Sequence, residues 1–262
     1  MASTNLFFLL DLSGSMTMNG RLNQINDAIP DVLGAVQKKV AQLEVSASVR
    51  IIYFNSSSDY IMGSAEKGVD LTTAISQWKD VSAGSSTRTG LAIEKVIEAM
   101  HTRYLLVDGD MDSVINAPVV ILFTDGECND SFKPEFKEKI NELKSKRRTK
   151  SGKETILRIA IGVNDANKEE LEEFASVWPT VVGYDSEGNP KVEDKKQVYM
   201  IDDAEDITDL LSNLTVSSVV STSTPPVEDE NGNEKPAPIN ITKSFDDITT
   251  TGNFSDDFSD FK

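Results

Sequence analysis

The chain has one cysteine, Cys128, one histidine, His101, and two tryptophans in 262 residues. A lone cysteine forms no internal disulfide, and no Cys/His pair has the spacing of metal ligands. A zinc site of the usual kind is therefore excluded, and so is a histidine-based catalytic triad. Basic residues are scarce: 26 Lys and Arg stand against 43 Asp and Glu, for a net charge of −17. A nucleic-acid groove needs a concentrated basic patch to neutralise phosphates. The one local excess, Lys144, Lys146, Arg147, Arg148, Lys150 and Lys153, reads as the solvated end of a helix and its following turn. Long apolar runs are missing too. The first run ends at Leu10, too short for a signal peptide and far too short to span a bilayer. The expectation is a cytoplasmic protein with no nucleic-acid or membrane partner.

What is present is an alternation of strand and helix signals. NLFFLL at 5–10 and VVILF at 119–123 are continuously apolar, as strands covered on both faces are. A β-branched strand is expected at 46–54, with an edge hairpin near Tyr60–Met62. TILRIAIGV at 155–163 and TVVGY at 180–184 read as a fourth and a fifth strand, and QVYMI at 197–201 as a short edge element. Helical spacing covers 22–42, with Pro30 as a kink or restart, and also 90–103 and the stretches around Phe136–Leu143 and Leu171–Phe174. Leu210, Leu211, Leu214 and Val216 suggest a closing helix. The fold class this implies is α/β, a doubly wound, mostly parallel sheet with helices on both faces. Ligands of such sheets bind beyond the carboxyl ends of the strands.

Composition changes near Ser217. Residues 4–216 read as the domain and 217–262 as a Ser/Thr/Pro-rich, then acidic and aromatic, disordered tail. The spaced aromatics among acids at 245–261 read either as a solubilising end or as a segment that docks on a second partner.

Asp11-Leu12-Ser13-Gly14-Ser15 closes the first strand, and its alternation turns three oxygen-bearing side chains toward one point. Taken alone, Ser13 or Ser15 could simply cap the following helix. Asp125 closes the other strongly apolar strand. If the two strands are neighbours, Asp11 and Asp125 resist joint burial unless a cation, a proton or a basic group stands between them. Neither motif carries a Lys, Arg or His. Gly84-Ser85-Ser86-Thr87-Arg88-Thr89-Gly90 runs into a helix, and Thr87 is assigned to the same site. Carboxylate and hydroxyl oxygens suit a hard cation, Mg²⁺ before Ca²⁺, with Mn²⁺ a workable substitute.

DLSGS at 11–15, STRTG at 86–90 and FTDGE at 123–127 resemble, in order and spacing, the three loops of the metal-ion-dependent adhesion site of von Willebrand factor A domains. The resemblance covers about residues 4–215. It implies Ser13, Ser15 and Thr87 as hydroxyl ligands and Asp11 and Asp125 as carboxylates that often act through coordinated water. It also implies that an Asp or Glu of a partner protein completes the sphere. Within the family the chain looks closest to the TerY-like proteins of bacterial tellurite-resistance and stress operons, as a compact domain that starts at its first strand. Asp108, Asp110 and Asp112 resemble the start of a calcium loop but lack its glycine and closing glutamate, and read as a surface loop.

The expected function is a cation-dependent protein-interaction module and not an enzyme. Ser13 has no basic partner in sequence reach to activate it as a nucleophile. The alternatives are a metal-dependent hydrolase or phosphatase, and a scaffold acting mainly through its acidic tail.

Overall fold

The structure is a computed structural model that describes residues 3–101, 116–126, 128–129, 132–146, 154–164, 166–201, 207–225, 227–228 and 234–241. The acidic stretch at 108–112, the docking segment at 245–261 and the basic run beyond Lys146 lie outside the described residues.

β1 (Ser3–Asp11) is the central strand, paired in parallel with β2 (Ser46–Phe54) on one side and β5 (Val119–Thr124) on the other. Its side chains alternate between two cores. Leu6, Phe8 and Leu10 face the core that holds α1 (Arg21–Gln42) and α6 (Ile207–Ser223). Phe7 and Leu9 face the core that holds α3 (Thr89–Met100) and α4 (Lys133–Lys146). Both faces are covered, which is why the run lacks polar positions. Each buried Leu or Phe contributes roughly 1.5–3 kcal/mol of transfer free energy.

Among the described residues the main sheet has seven strands. Its order is β3 (Ser58–Met62), β2, β1, β5, β6 (Leu157–Val163), β9 (Val198–Ile201), with β4 (Val69–Asp70) also on β2. β3 and β4 are antiparallel to β2, and the other five strands run parallel. The chain winds outward from β1 to β3, then restarts on the other side of β1 at β5. The crevice of such a sheet opens where the winding reverses, between the carboxyl ends of β1 and β5. Asp11 and Asp125 stand there.

Pro30 does not break α1. A proline leaves the carbonyl four residues earlier without its donor. Here that carbonyl, on Asn26, accepts the Trp78 indole N–H at 3.1 Å, just beyond α2 (Leu71–Gln77). The Asn26 side chain reaches the same segment through the Val81 N–H at 2.9 Å and the Val81 carbonyl at 3.2 Å. The lost helical bond becomes a tie between two elements.

Two expectations need correction. TVVGY does not join the main sheet. β7 (Val177–Tyr184) pairs antiparallel with β8 (Pro190–Lys196) as a separate hairpin. β8, with sequence PKVEDKK, is exposed throughout and carries no apolar alternation. The second concerns Ser217, where the composition changes but the folded chain does not end. α6 continues to Ser223, with Ser218, Val219 and Ser221 buried. Residues beyond it return: Ile239 is buried, donates its N–H to the Pro179 carbonyl at 2.8 Å and accepts from the Val181 N–H at 2.9 Å. Trp178 donates to Ser221 Oγ at 2.9 Å. A short apolar segment, Pro236-Ala237-Pro238-Ile239, thus covers the hairpin where composition alone suggested a tail.

Among the described residues no helix is long and apolar enough to cross a membrane.

Candidate metal centre

Asp11 is the last residue of β1 and fully buried. Its Oδ1 accepts the Ser13 N–H at 2.8 Å and its Oδ2 accepts the Thr124 hydroxyl at 2.6 Å. Burial pushes its carboxyl from 3.8 up to about 6, against the lowering effect of those bonds and with a small further push from Asp125. The two carboxylates are therefore within electrostatic reach, as the neighbouring strands require.

A chain of hydroxyls links them. Ser15 Oγ donates to Asp125 Oδ1 at 2.8 Å, and Ser13 Oγ lies 3.0 Å from Ser15 Oγ. A hydroxyl has one proton, so with that of Ser15 given to Asp125, the Ser13 hydroxyl lies between Ser15 Oγ and the Asp11 carboxyl, with which its side chain also hydrogen-bonds. Both serine oxygens keep lone pairs for a further contact. Neither serine caps the helical turn at Gly14–Gly20: Ser13 stands at its N-cap position, where no side-chain capping bond forms.

The loop before α3 is pinned over this turn. Gly84 N–H donates to the Leu12 carbonyl at 2.5 Å, and Gly14 N–H to the Ser85 carbonyl at 3.4 Å. Gly84 is needed for the approach, since a Cβ there would lie 2.2 Å from Asn55 Nδ2. Thr87 is 7% exposed. Its N–H donates to Asn129 Oδ1 at 2.8 Å, and its carbonyl accepts the Asn129 N–H at 3.2 Å. Asn129, just past the end of β5, thus ties the Thr87 loop to the Asp125 loop. Hydrogen bonds join Asp11, Ser13, Ser15 and Asp125 into one cluster. Thr87 reaches the same end of the sheet through its backbone.

Sequence reasoning missed Arg21. The absence of a basic group within the two motifs left the carboxylates without a cation, and the structure corrects this: Arg21 Nη1 pairs with Asp125 Oδ2. Both are nearly closed to water, with side-chain exposures of 10% and 0%. Asn19 and Gly20, with φ of 54° and 74°, turn the chain so that α1 starts at Arg21. The left-handed turn is why a residue six places past Ser15 comes back over the site. One sign was legible: Arg21 is the only basic residue in the first 37.

These residues fit a small hard cation. Formal charges of −1, −1 and +1 for Asp11, Asp125 and Arg21 leave one negative charge under cover, beside oxygens with free lone pairs. Among the described residues no group of three or more His, Cys, Asp or Glu that could hold a metal ion gathers anywhere, so this cluster depends on two carboxylates supplemented by hydroxyls. Cys128 is not a competing ligand. It is buried, and burial pushes its thiol up to about 11, which disfavours the thiolate that metals and oxidants need. A cavity of about 320 Å³ lies elsewhere, lined among others by Lys144, Glu154, Arg158 and Lys196. Arg158 pairs with Glu154, and Lys196 donates to the Glu172 and Ala175 carbonyls, so two of its cations already hold the fold.

Fold and site together define a doubly wound α/β domain with a cluster of carboxylate and hydroxyl oxygens at its crevice. The von Willebrand factor type A domain family matches residues 5–211, and the chain belongs to that family of metal-binding adhesion and interaction modules. A solved von Willebrand factor type A protein from Catenulispora acidiphila is similar, with 12% identity and a TM-score of 0.56 over 83% of this chain and 43% of that one. Proximal thread matrix protein 1 of the mussel byssus gives 13% identity and 0.55 over 83% and 46%. A further structure of that mussel protein has zinc in its metal-ion-dependent adhesion site, with 15% identity and 0.52 over 82% and 45%. The chain thus spans under half the length of these proteins, and the likeness concerns the fold. No curated protein matches the sequence.

Proposed function

We propose that this chain is a divalent-cation-dependent protein-interaction module. Asp11, Ser13, Ser15, Thr87 and Asp125 hold a Mg²⁺ ion, for which Mn²⁺ or Ca²⁺ can substitute, and a partner's Asp or Glu completes its sphere. The observation that carries this reading is the hydroxyl relay Ser13–Ser15–Asp125 beside the buried Asp11 carboxyl. It gathers hard oxygen donors from two neighbouring strand ends at the point where such sheets bind ligands.

The bound ion supplies an electrophilic anchor for a carboxylate. The protein's own residues hold the donors in place: Thr124 and the Ser13 N–H orient Asp11, Ser15 orients Asp125, and Asn129 sets the Thr87 loop. The Ser13 hydroxyl is shared between Ser15 and the Asp11 carboxyl, the only histidine lies at position 101, and Arg21 is paired with a carboxylate, which favours a docking role over serine nucleophilic catalysis. The zinc in the mussel protein supports occupancy by a divalent ion and leaves Mg²⁺ as the choice of donor chemistry. A cytoplasmic setting in a bacterial stress or tellurite-resistance system rests on the resemblance to the TerY-like proteins.

The test is calorimetric titration of Mg²⁺ into the wild type and into Asp11→Ala and Asp125→Ala, with circular dichroism as a control. Binding to the wild type and its loss in both folded variants is expected. Unchanged affinity in the variants overturns the site. Capture of a partner that survives EDTA moves the interaction off the site.

A further inference from the structure

A divalent-cation site made by two carboxylates is electrically neutral once filled. Here Arg21 stands in the wall and adds a positive charge. Its guanidinium pairs with Asp125 Oδ2, on a carboxylate that water does not reach. Asp125 Oδ1 is held by Ser15 on the other side, so the carboxylate is shared between the hydroxyl relay and the arginine. Asp11, by contrast, receives only neutral donors, the Ser13 N–H and the Thr124 hydroxyl.

Empty, the cluster of Asp11, Asp125 and Arg21 carries −1. With a divalent ion it carries +1, and a partner carboxylate brings it to zero. Without Arg21 the filled site is already neutral, and a carboxylate leaves it at −1. Interactions across a few ångströms of protein are large enough for one unit of charge to decide the balance. The charge of the whole chain makes this matter more, since a net −17 repels an acidic partner at long range.

We propose that Arg21 sets the exchange between the two ligands of the site: it weakens capture of the cation and strengthens capture of the partner's carboxylate. The inference rests on reading the site as a cation-borne docking point. In the empty protein the guanidinium stands in for part of the ion's charge on Asp125, which keeps the carboxylate paired without a metal. In the filled protein the same charge leaves the ion electrophilic toward an anion. Arg21 is thus a positioning and charge-setting residue that acts through Asp125. Its sequence context supports a dedicated placement. The turn that delivers it uses a left-handed asparagine and a left-handed glycine, Asn19 and Gly20, directly before it.

The experiment uses the full chain and two probes, Mn²⁺ alone and acetate at saturating Mn²⁺. Water-proton relaxation reports both, because Mn²⁺ bound to protein enhances relaxation and acetate displaces ion-bound water. The variants are Arg21→Gln, which removes the charge, and Arg21→Lys, which keeps it. Arg21→Gln should bind Mn²⁺ about tenfold more tightly and acetate about tenfold more weakly than the wild type. Arg21→Lys should stay within about threefold of wild type for both. Opposite signs in one variant are the signature, since damage to the fold weakens both ligands together. If both affinities of Arg21→Gln move the same way, or neither moves, the inference is overturned while the site stands. If Arg21→Gln does not fold, Arg21→Lys decides: a loss of acetate binding of tenfold or more overturns a role for the charge. A wild type that binds neither Mn²⁺ nor Mg²⁺ overturns the proposed function itself and the inference with it.

Discussion

At the scale of single residues, the buried Asp11 carboxyl has the clearest consequence. Its folded value of about 6 lies above the ordinary 3.8, so between the two the folded chain holds the proton that the unfolded chain has lost. Stability from this group is therefore fully present below about pH 4 and is lost as pH rises through 6. The shift corresponds to roughly 3 kcal/mol between the limits. In EDTA, Asp11→Asn should accordingly be more stable than the wild type at pH 8, with the difference closing by pH 4. Urea unfolding at the two values checks this, and a wild type that is relatively stronger at pH 8 contradicts it. That Asp11, Ser13, Ser15, Thr87 and Asp125 share one end of the sheet was readable, because each stands at or just past a strand end, or just ahead of a helix, next to a recognisable run. Arg21 was not, because its partner lies 104 residues away and a left-handed turn aims it. Spacing along a chain does not report such a fold-back.

At the scale of elements, the junction of α1 with the Trp78 segment carries a measurable bond. Trp78→Phe leaves the Asn26 carbonyl without its donor and should cost about 1–3 kcal/mol. Pro30→Ala restores an N–H that can reach the same carbonyl, so Trp78→Phe should cost less in that background. A double-mutant cycle by urea denaturation measures the coupling, and strict additivity would refute it. A second pair concerns glycines. Gly84→Ala drives a Cβ into Asn55 and should shift the loop that carries Thr87, lowering Mg²⁺ affinity. Gly34→Ala, inside α1 with open space around it, should leave affinity unchanged and stabilise by up to about 1 kcal/mol. The buried strands β1, β5 and β6 were legible from continuous apolarity. β8 was not, because a solvated strand held by backbone bonds and a neighbouring hairpin arm leaves no pattern. The end of α6 was hidden differently. Thr215, Ser218 and Thr222 bury hydroxyls by returning them to the carbonyls of Leu211, Leu214 and Ser218, so polar composition concealed a packed helix.

At the scale of the whole molecule, the doubly wound sheet was readable from the alternation of elements, and its closing cover was not. The Pro236–Ile239 segment seals Trp178 and the first strand of the hairpin from far along the chain. Removing residues 242–262 should leave the melting temperature unchanged, whereas ending the chain at 225 should lower it by several degrees. Equal melting of the two truncations would show that the cover adds no stability.

The neighbouring placement of β1 and β5 also bears on how the protein is made. These strands are parallel and more than 110 residues apart, so their pairing closes one of the longest loops in the fold. As a chain grows from its amino end, Asp11 is synthesised long before the strand that brings Asp125 and Thr124 to it. Until then the first carboxylate has no hydroxyl from β5 to orient it. On the proposed reading of the site, competence to bind an ion would therefore come late in maturation, and in a refolding experiment a metal-dependent signal should lag behind the recovery of helix.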